Sequence, residues 1–424
     1  MMTRRRPRAL RLFGAVLALY AGAAATTRAH TQDDFFNAST LQDVRLTMSG
    51  RDWQALKEHA DQDTYYAADL RWNGVTLRNV GIRSRGHYTR NGLKPGLRID
   101  VNRYLSEQRF LGLTAFVLDN DYSDPSQMRE RLAMTLFNRA GVAAPRETHT
   151  RLFINEDYAG VYTIVESIDR AFVRTTFGDD EAHVERGGHL FEYRWMRPYS
   201  FEYLGPDLEA YAELFTPHTH ETDSMTGIFG RLEELVRTIN DAPDDGFAEV
   251  VGQHLDLPLV MRYLAVENFL AETDGLVGDW GLHNFYMYRR RGDGRSSLIP
   301  WDKDTTFSAV DHPVDFHLSD NVLVRRAIAT PELRQIYVDT LMACVRLARE
   351  RDPESPDPRG WLEREIDRIA AALRDAVTED PAAPFSLDQF DSDIEWLRHF
   401  ALRRPAIVAC ALGTCESPPA GNER

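Results

Sequence analysis

From Val44 to Tyr193 apolar and polar positions alternate with a period of two. The stretches VRLTMSG (44–50) and YYAADLRWNGVTLRNVGIRSRG (65–86) have the pattern of half-buried strands. Asn73 and Gly74 separate two such runs, and an Asn-Gly pair supplies the backbone of a two-residue hairpin. LRIDVNRY (97–104) continues the pattern, AFVLDND (115–121) reads as a buried strand, and TRLFINEDYAGVYTIVESID (150–169) reads as a hairpin turning near Asn155 to Asp157. An antiparallel sheet is expected. One helix interrupts it, with Asp124 as its cap, Pro125 in its first turn, Met128, Leu132, Leu136 and Phe137 on one face and Gly141 at its end.

After a polar, loop-rich stretch around Pro198 to Thr226 the period lengthens to that of helices. Asp256 precedes a helix over Pro258 to Glu272, Thr330 and Pro331 open another, and two more run around Trp361 to Val377 and Asp388 to Cys410. Between them HNFYMYRRRGDGRSSLIPWDKD (283–304) reads as a hairpin turning at Gly292 to Gly294. Its Arg291-Gly292-Asp293 tripeptide is explained by turn chemistry. There are no internal repeats.

The first thirty residues differ from the rest. Arg4, Arg5, Arg6, Arg8 and Arg11 lead into an apolar run from Leu10 to Ala25, then small residues to Ala29. This is the composition of a signal peptide cleaved near Ala29. The run is shorter than the ~20 apolar residues of a permanent span, so a secreted or cell-envelope protein without a stable membrane span is expected. The division is a signal peptide (1–29), a β-rich N-terminal lobe (36–197), a helical C-terminal lobe containing the hairpin (198–412) and a tail (413–424). A net charge of -15 argues against nucleic acid as partner and for basic segments. The 3 cysteines match no zinc pattern; Cys410 and Cys415 can close a small disulfide, while Cys344 lies in an apolar helical pattern.

Candidate chemistry gathers at the hairpin. ENFLAETDGLVGDWGLHN (267–284) brings Asp274, Asp279, His283 and Asn284, and SLIPWDKDTTF (297–307) ends a short apolar run with Asp302, Lys303 and Asp304. Carboxylates and an amide oxygen are hard ligands suited to Mg²⁺ or Mn²⁺. Each acid alone is equally a turn residue. Asp302 and Asp304 are expected on the same side of a strand, roughly 6 to 7 Å apart by the strand rise, which also suits the paired acids of a glycoside hydrolase beside Trp280 and Trp301. Upstream, GIRSRGHYTRNGLKPGLRIDV (81–101) offers Arg83, Arg85 and Lys94 to an anion, or forms an ordinary solvated turn.

The ordered set IRSRG with Lys94 downstream, MRERLAMTLFNRAGV (128–142), FINEDYAGVYTIVESID (153–169), TDGLVGDWGLHNFYMY (273–288) and IPWDKDTTF (299–307) resembles the spore coat protein H (CotH) kinase family, atypical protein kinases that are secreted or spore-associated. The resemblance runs from about Val44 to Leu412. It implies an α+β, diverged two-lobed protein-kinase-like fold with ATP between the lobes. It further implies Mg²⁺ (or Mn²⁺), and transfer of the γ-phosphate to Ser or Thr of an envelope, coat or secreted protein, basic acceptor segments being favoured. By the same resemblance Asp274 is the catalytic acid, with Asp279 as a competitor. Asn284, Asp302 and Asp304 hold metal; Lys94, Arg83 and Arg85 meet the phosphates. Trp301 lies beneath the metal site or beside the nucleotide, and Glu166 or Glu130 orients the lysine. The kinase glycine-rich loop and the HRD and DFG triplets are absent. Two alternatives are a non-catalytic surface or matrix binding protein with a structural cation, and transfer of AMP instead of phosphate.

Overall fold

The computed structural model describes residues 29–86, 89–178 and 188–415. The expected signal peptide, apart from Ala29, and the tail beyond Cys415 lie outside the described residues. The short α1 (Gln32–Phe35) precedes β1 (Gln42–Met48), α2 (Gly50–Glu58), β2 (Tyr66–Trp72), β3 (Val75–Arg85), β4 (Gly96–Asp100) and β5 (Ala115–Asp119). Then come α3 (Arg129–Arg139), β6 (Glu147–Ile154), β7 (Asp157–Glu166) and α4 (Arg170–Phe177). Strands β1 to β7 close into a barrel in the order β1-β2-β3-β4-β5-β7-β6. The pairs are antiparallel as expected, except that β1 and β6 run parallel and seal the barrel. Closure removes the exposed edges that an open sheet would leave. Asn73 and Gly74 both take positive φ in the β2–β3 turn, as a two-residue hairpin requires.

Inward positions of the alternating strands, among them Val44, Leu46, Leu70, Ile82, Ile99, Phe116 and Leu152, fill the barrel. Outward positions of β5 and β7 are also buried, because Val117 and Val165 pack against Leu190, Tyr286, Ile299 and Trp301 from outside the barrel. This second layer explains why AFVLD and VYTIVE read as continuous apolar runs. Helix α3 starts later than expected. Asp124 still caps it, from outside, with one carboxylate oxygen accepting the Met128 and Arg129 N–H groups at 2.8 Å; Pro125 therefore lies in the preceding turn.

Beyond the barrel the elements are β8 (His189–Tyr193), α5 (Glu209–Ala212), β9 (Phe215–Pro217), α6 (Met225–Asp241), α7 (Phe247–Val251) and α8 (Leu257–Phe269). The hairpin strands β10 (Phe285–Arg289) and β11 (Ser296–Pro300) follow, then α9 (Val322–Ile328), α10 (Pro331–Ala348), α11 (Trp361–Thr378) and α12 (Leu387–Ala411). The hairpin does not stand alone: it belongs to a four-stranded sheet ordered β11-β10-β8-β9. Strand β8, read from its pattern as part of the N-terminal region, pairs with β10 through Tyr286↔Glu192 to Arg289↔His189. Alternation identifies a strand but not the sheet it joins. Asp256 caps α8 at the Leu259 N–H, and the other end of α8 is capped from α12. There the fully buried Arg404 donates to the carbonyls of Asn268 (2.5 Å) and Phe269 (3.0 Å), a cation at the negative end of the helix. Cys410 and Cys415 form a disulfide and Cys344 is a buried free thiol. No helix among the described residues is long and apolar enough to cross a membrane.

Barrel and helices are tied by one buried ion pair. Lys94 Nζ donates to Asp380 Oδ2 at 3.0 Å, and both side chains are essentially inaccessible, at 1% and 0%. The same oxygen accepts the Val161 N–H at 3.0 Å. Gly160 passes so close, at φ +126°, that a Cβ there would lie 2.5 Å from the carboxylate. Removing one partner strands a buried charge. Asp380→Ala is expected to cost about 3–5 kcal/mol in urea unfolding, and adding Lys94→Met should restore a substantial part; equal costs for the single and double variants would refute the pairing.

Candidate active site

The pairing of β10 with β11 brings the sequence-separated polar residues to one end. Phe285 faces Pro300, so Asn284 and Trp301 are the next positions, and the Trp301 N–H donates to the Asn284 carbonyl at 3.2 Å. Asn284 and Asp302 both take left-handed backbone (φ 53° and 52°), which Asn and Asp tolerate better than most residues and which recurs at functional sites. Asn284 Nδ2 donates to the Asp274 carbonyl (3.1 Å) and to its Oδ2 (3.2 Å), while His283 Nδ1 bonds Asp274 Oδ1 at 2.5 Å. Asp274 and Asn284 are therefore joined directly, and Asp302 lies near enough for the charges of Asp274 and His283 to act on it. Asp279 stands apart, exposed and 3.4 Å from His317.

The lysine between the two acids organises this end. Lys303 points inward and pairs with Glu267 of α8 at 2.8 Å, with 0% and 1% of the two side chains exposed. Burial opposes its charge, but Glu267, together with Tyr263 and Glu272, holds its proton more tightly than usual. Glu267 also accepts the Leu276 N–H with both oxygens (3.2 and 2.9 Å), which fixes the loop carrying Asp274. A Cβ on Gly275 would lie 2.2 Å from Glu267, so glycine is required there.

Acids from the barrel face the hairpin. Burial, then Glu147 and Asp302, push the Glu130 carboxyl well above the usual range. Burial and the charges of Asp121 and Asp119 do the same to Glu147, whose two oxygens have no hydrogen-bond partner among the described residues. Asp121 and Asp304 are raised alike, by burial and then by Asp119 and Asp302 respectively. Asp302 itself is exposed; the protein packed around it and the charge of Asp119 raise its pKa, and Arg85 opposes them. A group of carboxyls that repel one another in this way fits a divalent cation, which would replace the protons. Asn284 and Asp302 supply the hard oxygen donors such an ion takes. Among the described residues, however, three carboxylate or imidazole ligand atoms within 4.8 Å of each other occur at His189, His220 and Asp223, and not at Asp302 and Asp304.

Arg85 bridges the two sides. Its guanidinium meets Asp119 at 3.2 Å and lies over the Trp301 ring, 5.1 Å from the centroid. With Arg83, Arg98, Arg170 and Arg174 it lines a cleft of about 640 Å³ that Trp301 borders. Arg83 is also held by Asp63 at 2.9 Å.

Three expectations need correction. Lys94 does not line this cleft, because its ammonium is buried against Asp380. Glu166 does not orient it, because both its oxygens are taken by Arg146 (2.9 and 2.7 Å); nor does Glu130, which lies among the acids. The strand spacing expected for the paired acids of a glycoside hydrolase does not apply either, since β11 ends at Pro300 and Asp302 has left-handed backbone. The sequence reading missed Asp119, Asp121, Glu147, Lys303 and Asp380. Asp119 and Asp121 carry the same signal as Asp302 and Asp304, an apolar strand ending in acids two residues apart; Asp380 carries no such signal, since its partner lies 286 positions away.

Residues 82–408 match the family model described as CotH kinase protein. The chain belongs to the CotH family. It is 25% identical over 364 residues to the inner spore coat protein H of Bacillus subtilis (strain 168), covering 84% of this chain and 93% of that one. Similarity to the spore coat protein homolog 1 of Rhizopus delemar is 20% over 349 residues, 76% of this chain and 53% of that protein.

Two tests follow from the CotH chain's site. Lys303→Met leaves Glu267 buried and unpaired, and is expected to lower stability by about 3–5 kcal/mol in urea unfolding; a loss below 1 kcal/mol would refute the organising role of this pair. Burial, opposed by Lys303 and reinforced by Glu267, pushes Glu272 up to about 7 from 4.5. A raised acid binds its proton more tightly folded than unfolded, so its contribution is complete below about 4.5 and is lost as pH rises to about 7. The difference in unfolding free energy between the parent and Glu272→Gln should therefore change across that window and be flat above it.

Proposed function

We propose that this CotH-family chain is an exported, Mg²⁺-dependent protein kinase that transfers the γ-phosphate of ATP to Ser or Thr of a coat, envelope or secreted protein. In this reading the barrel is the N-terminal lobe, and the helices with the β8–β11 sheet form the C-terminal lobe of a kinase-like fold. The observation that carries it is the convergence of Asp274, Asn284 and Asp302 at one hairpin end, beside a cleft walled by arginines and Trp301. The names of the relatives, both spore coat proteins, support a coat or envelope location.

Phosphoryl transfer asks a protein for charge neutralisation and positioning more than for covalent chemistry. ATP supplies the transferred group. Asn284 and Asp302, with Asp304 behind them, would hold Mg²⁺ or Mn²⁺. Arg85 would meet phosphate charge from the cleft side, backed by Arg83, and Trp301 gives the guanidinium an aromatic floor. Asp274, fixed by His283 and Asn284, would receive the acceptor hydroxyl's proton at Oδ2. An acidic protein favours basic acceptor segments.

A non-catalytic binding protein with the same cation is the second reading. The burial of Lys94 away from the cleft favours it.

Titration of ATP into the mature chain separates them. Mg²⁺-dependent binding that Asp302→Ala abolishes, with ADP release and acceptor labelling that Asp274→Asn lowers by about 10²–10⁴ without weakening ATP binding, is the expected result. Binding without turnover on any basic acceptor would leave the binding protein, and absence of ATP binding by the folded chain would end the kinase reading.

A further inference from the structure

The hairpin that ends at Asn284 and Asp302 carries a group of cations at its opposite end. Arg289 is the last residue of β10 and faces His189, the first of β8. It stands five positions along the chain from Asn284, roughly 17 Å at ~3.3 Å per residue. Together with Arg231 and Arg290 these residues line a pocket of about 770 Å³.

The hydrogen bonding there is incomplete. Arg289 Nη2 donates to His189 Nδ1 at 2.7 Å. A guanidinium can only donate, so Nδ1 accepts and the proton of the neutral ring is on Nε2. His189 Nε2 and Arg289 Nη1 are both buried with no hydrogen-bond partner among the described residues. Two N–H donors at one wall therefore lack an acceptor, where native proteins pair the great majority of such groups. Charge is mixed, because the Asp223 carboxylate lines the same pocket 4.0 Å from His189 Nε2, beyond hydrogen-bond distance. Burial and then the neighbouring Arg231 make the Arg289 proton easier to lose, with Glu234 opposing, and the nearby Asp293 is already shared between Arg290 (2.8 Å) and Arg295 (2.9 Å).

A metal is the competing occupant, because ligand atoms of His189, His220 and Asp223 lie within 4.8 Å of one another. The rings argue against it. They are stacked at 4.5 Å with 20° between planes, whereas an imidazole binds a metal in its own plane at ~2 Å; nearly parallel, offset planes do not meet at one ion. His189 Nε2 also carries the proton.

We propose that this pocket binds the phosphate group of a phosphorylated protein segment, held by Arg289, Arg231 and His189 Nε2–H. Arginine forks and N–H donors are the chemistry that recognises phosphate. The pocket has room for residues on either side of it, its volume being typical of sites for far larger ligands than one phosphate. The binding claim is independent of the transfer reaction; if that reaction also holds, an acceptor phosphorylated once would be retained near the site for a second transfer.

Calorimetric titration without ATP or Mg²⁺ tests it on the mature chain, using a short Ala/Gly peptide with one phosphoserine, its unphosphorylated twin, inorganic phosphate and Zn²⁺. The phosphopeptide is expected to bind and its twin not. Arg289→Gln should weaken binding by about tenfold or more. Arg231→Gln, at a side chain 66% exposed and so harmless to folding, should weaken it measurably. Equal affinity for the two peptides, unchanged affinity in both variants, inorganic phosphate binding as tightly as the phosphopeptide, or Zn²⁺ binding lost in His220→Ala without any phosphopeptide binding would each overturn the proposal.

Discussion

The arrangement of the candidate active site depends on Lys303 reaching inward to Glu267. A lone ammonium or carboxylate in that core would cost several kcal/mol, so the pair tolerates little displacement. Lys303 lies between Asp302 and Asp304, and its inward course leaves Asp302 exposed on the opposite side of the chain. Glu267 uses its remaining capacity on the Leu276 N–H, so the segment carrying Asp274 is held by the same carboxylate. One buried interaction thus sets two loops from distant parts of the sequence. The β10–β11 pairing adds the third constraint by fixing Asn284 to Trp301.

Around this anchor the charges are divided by side. The barrel contributes Asp119, Asp121 and Glu147, α3 contributes Glu130, and the hairpin contributes Asp302 and Asp304; each raises the proton affinity of others in the group. Such clustering costs stability near neutral pH, a cost that a ligand of opposite charge would relieve. Fold and site are linked by that cost. The barrel is not only a support: the charge of its Asp119 acts on Asp302 and Asp304 of the hairpin.

Much of this was legible in the sequence, and the failures have physical reasons. Local signals worked where the structure is decided locally. Asn73-Gly74 makes its turn, Asp256 caps α8, and the apolar strand before WDKD ends at Pro300 with Asp302 exposed just beyond it. Pairing over long distance was not legible. The parallel β1–β6 contact, the capture of β8 by β10, and Lys94 with Asp380 each depend on which surfaces meet after the chain has closed. The assignments of Lys94 and Glu166 failed for that reason, since a charged residue takes the partner that burial brings to it. Lys303 was passed over because its neighbours are acids, although a lysine flanked by two site carboxylates is itself a signal of an inward anchor.

Arg85 shows how the site can dispense with a lysine. A buried lysine can lose its proton, whereas arginine remains charged and its flat guanidinium can serve an acid on one side and an aromatic ring on the other. Here burial works against the charge, but Asp119, followed by Asp302, more than restores it. Arg85 is therefore neutralised by carboxylates. A divalent cation at Asp302 would compete with Arg85 for that charge and leave the guanidinium less satisfied, and so better able to attract an anionic ligand. Cation and nucleotide would then strengthen each other's binding, since a coupling free energy acts equally in both directions. Under the proposed kinase reading these mutually repelling acids would be the means by which one ligand prepares the site for the next.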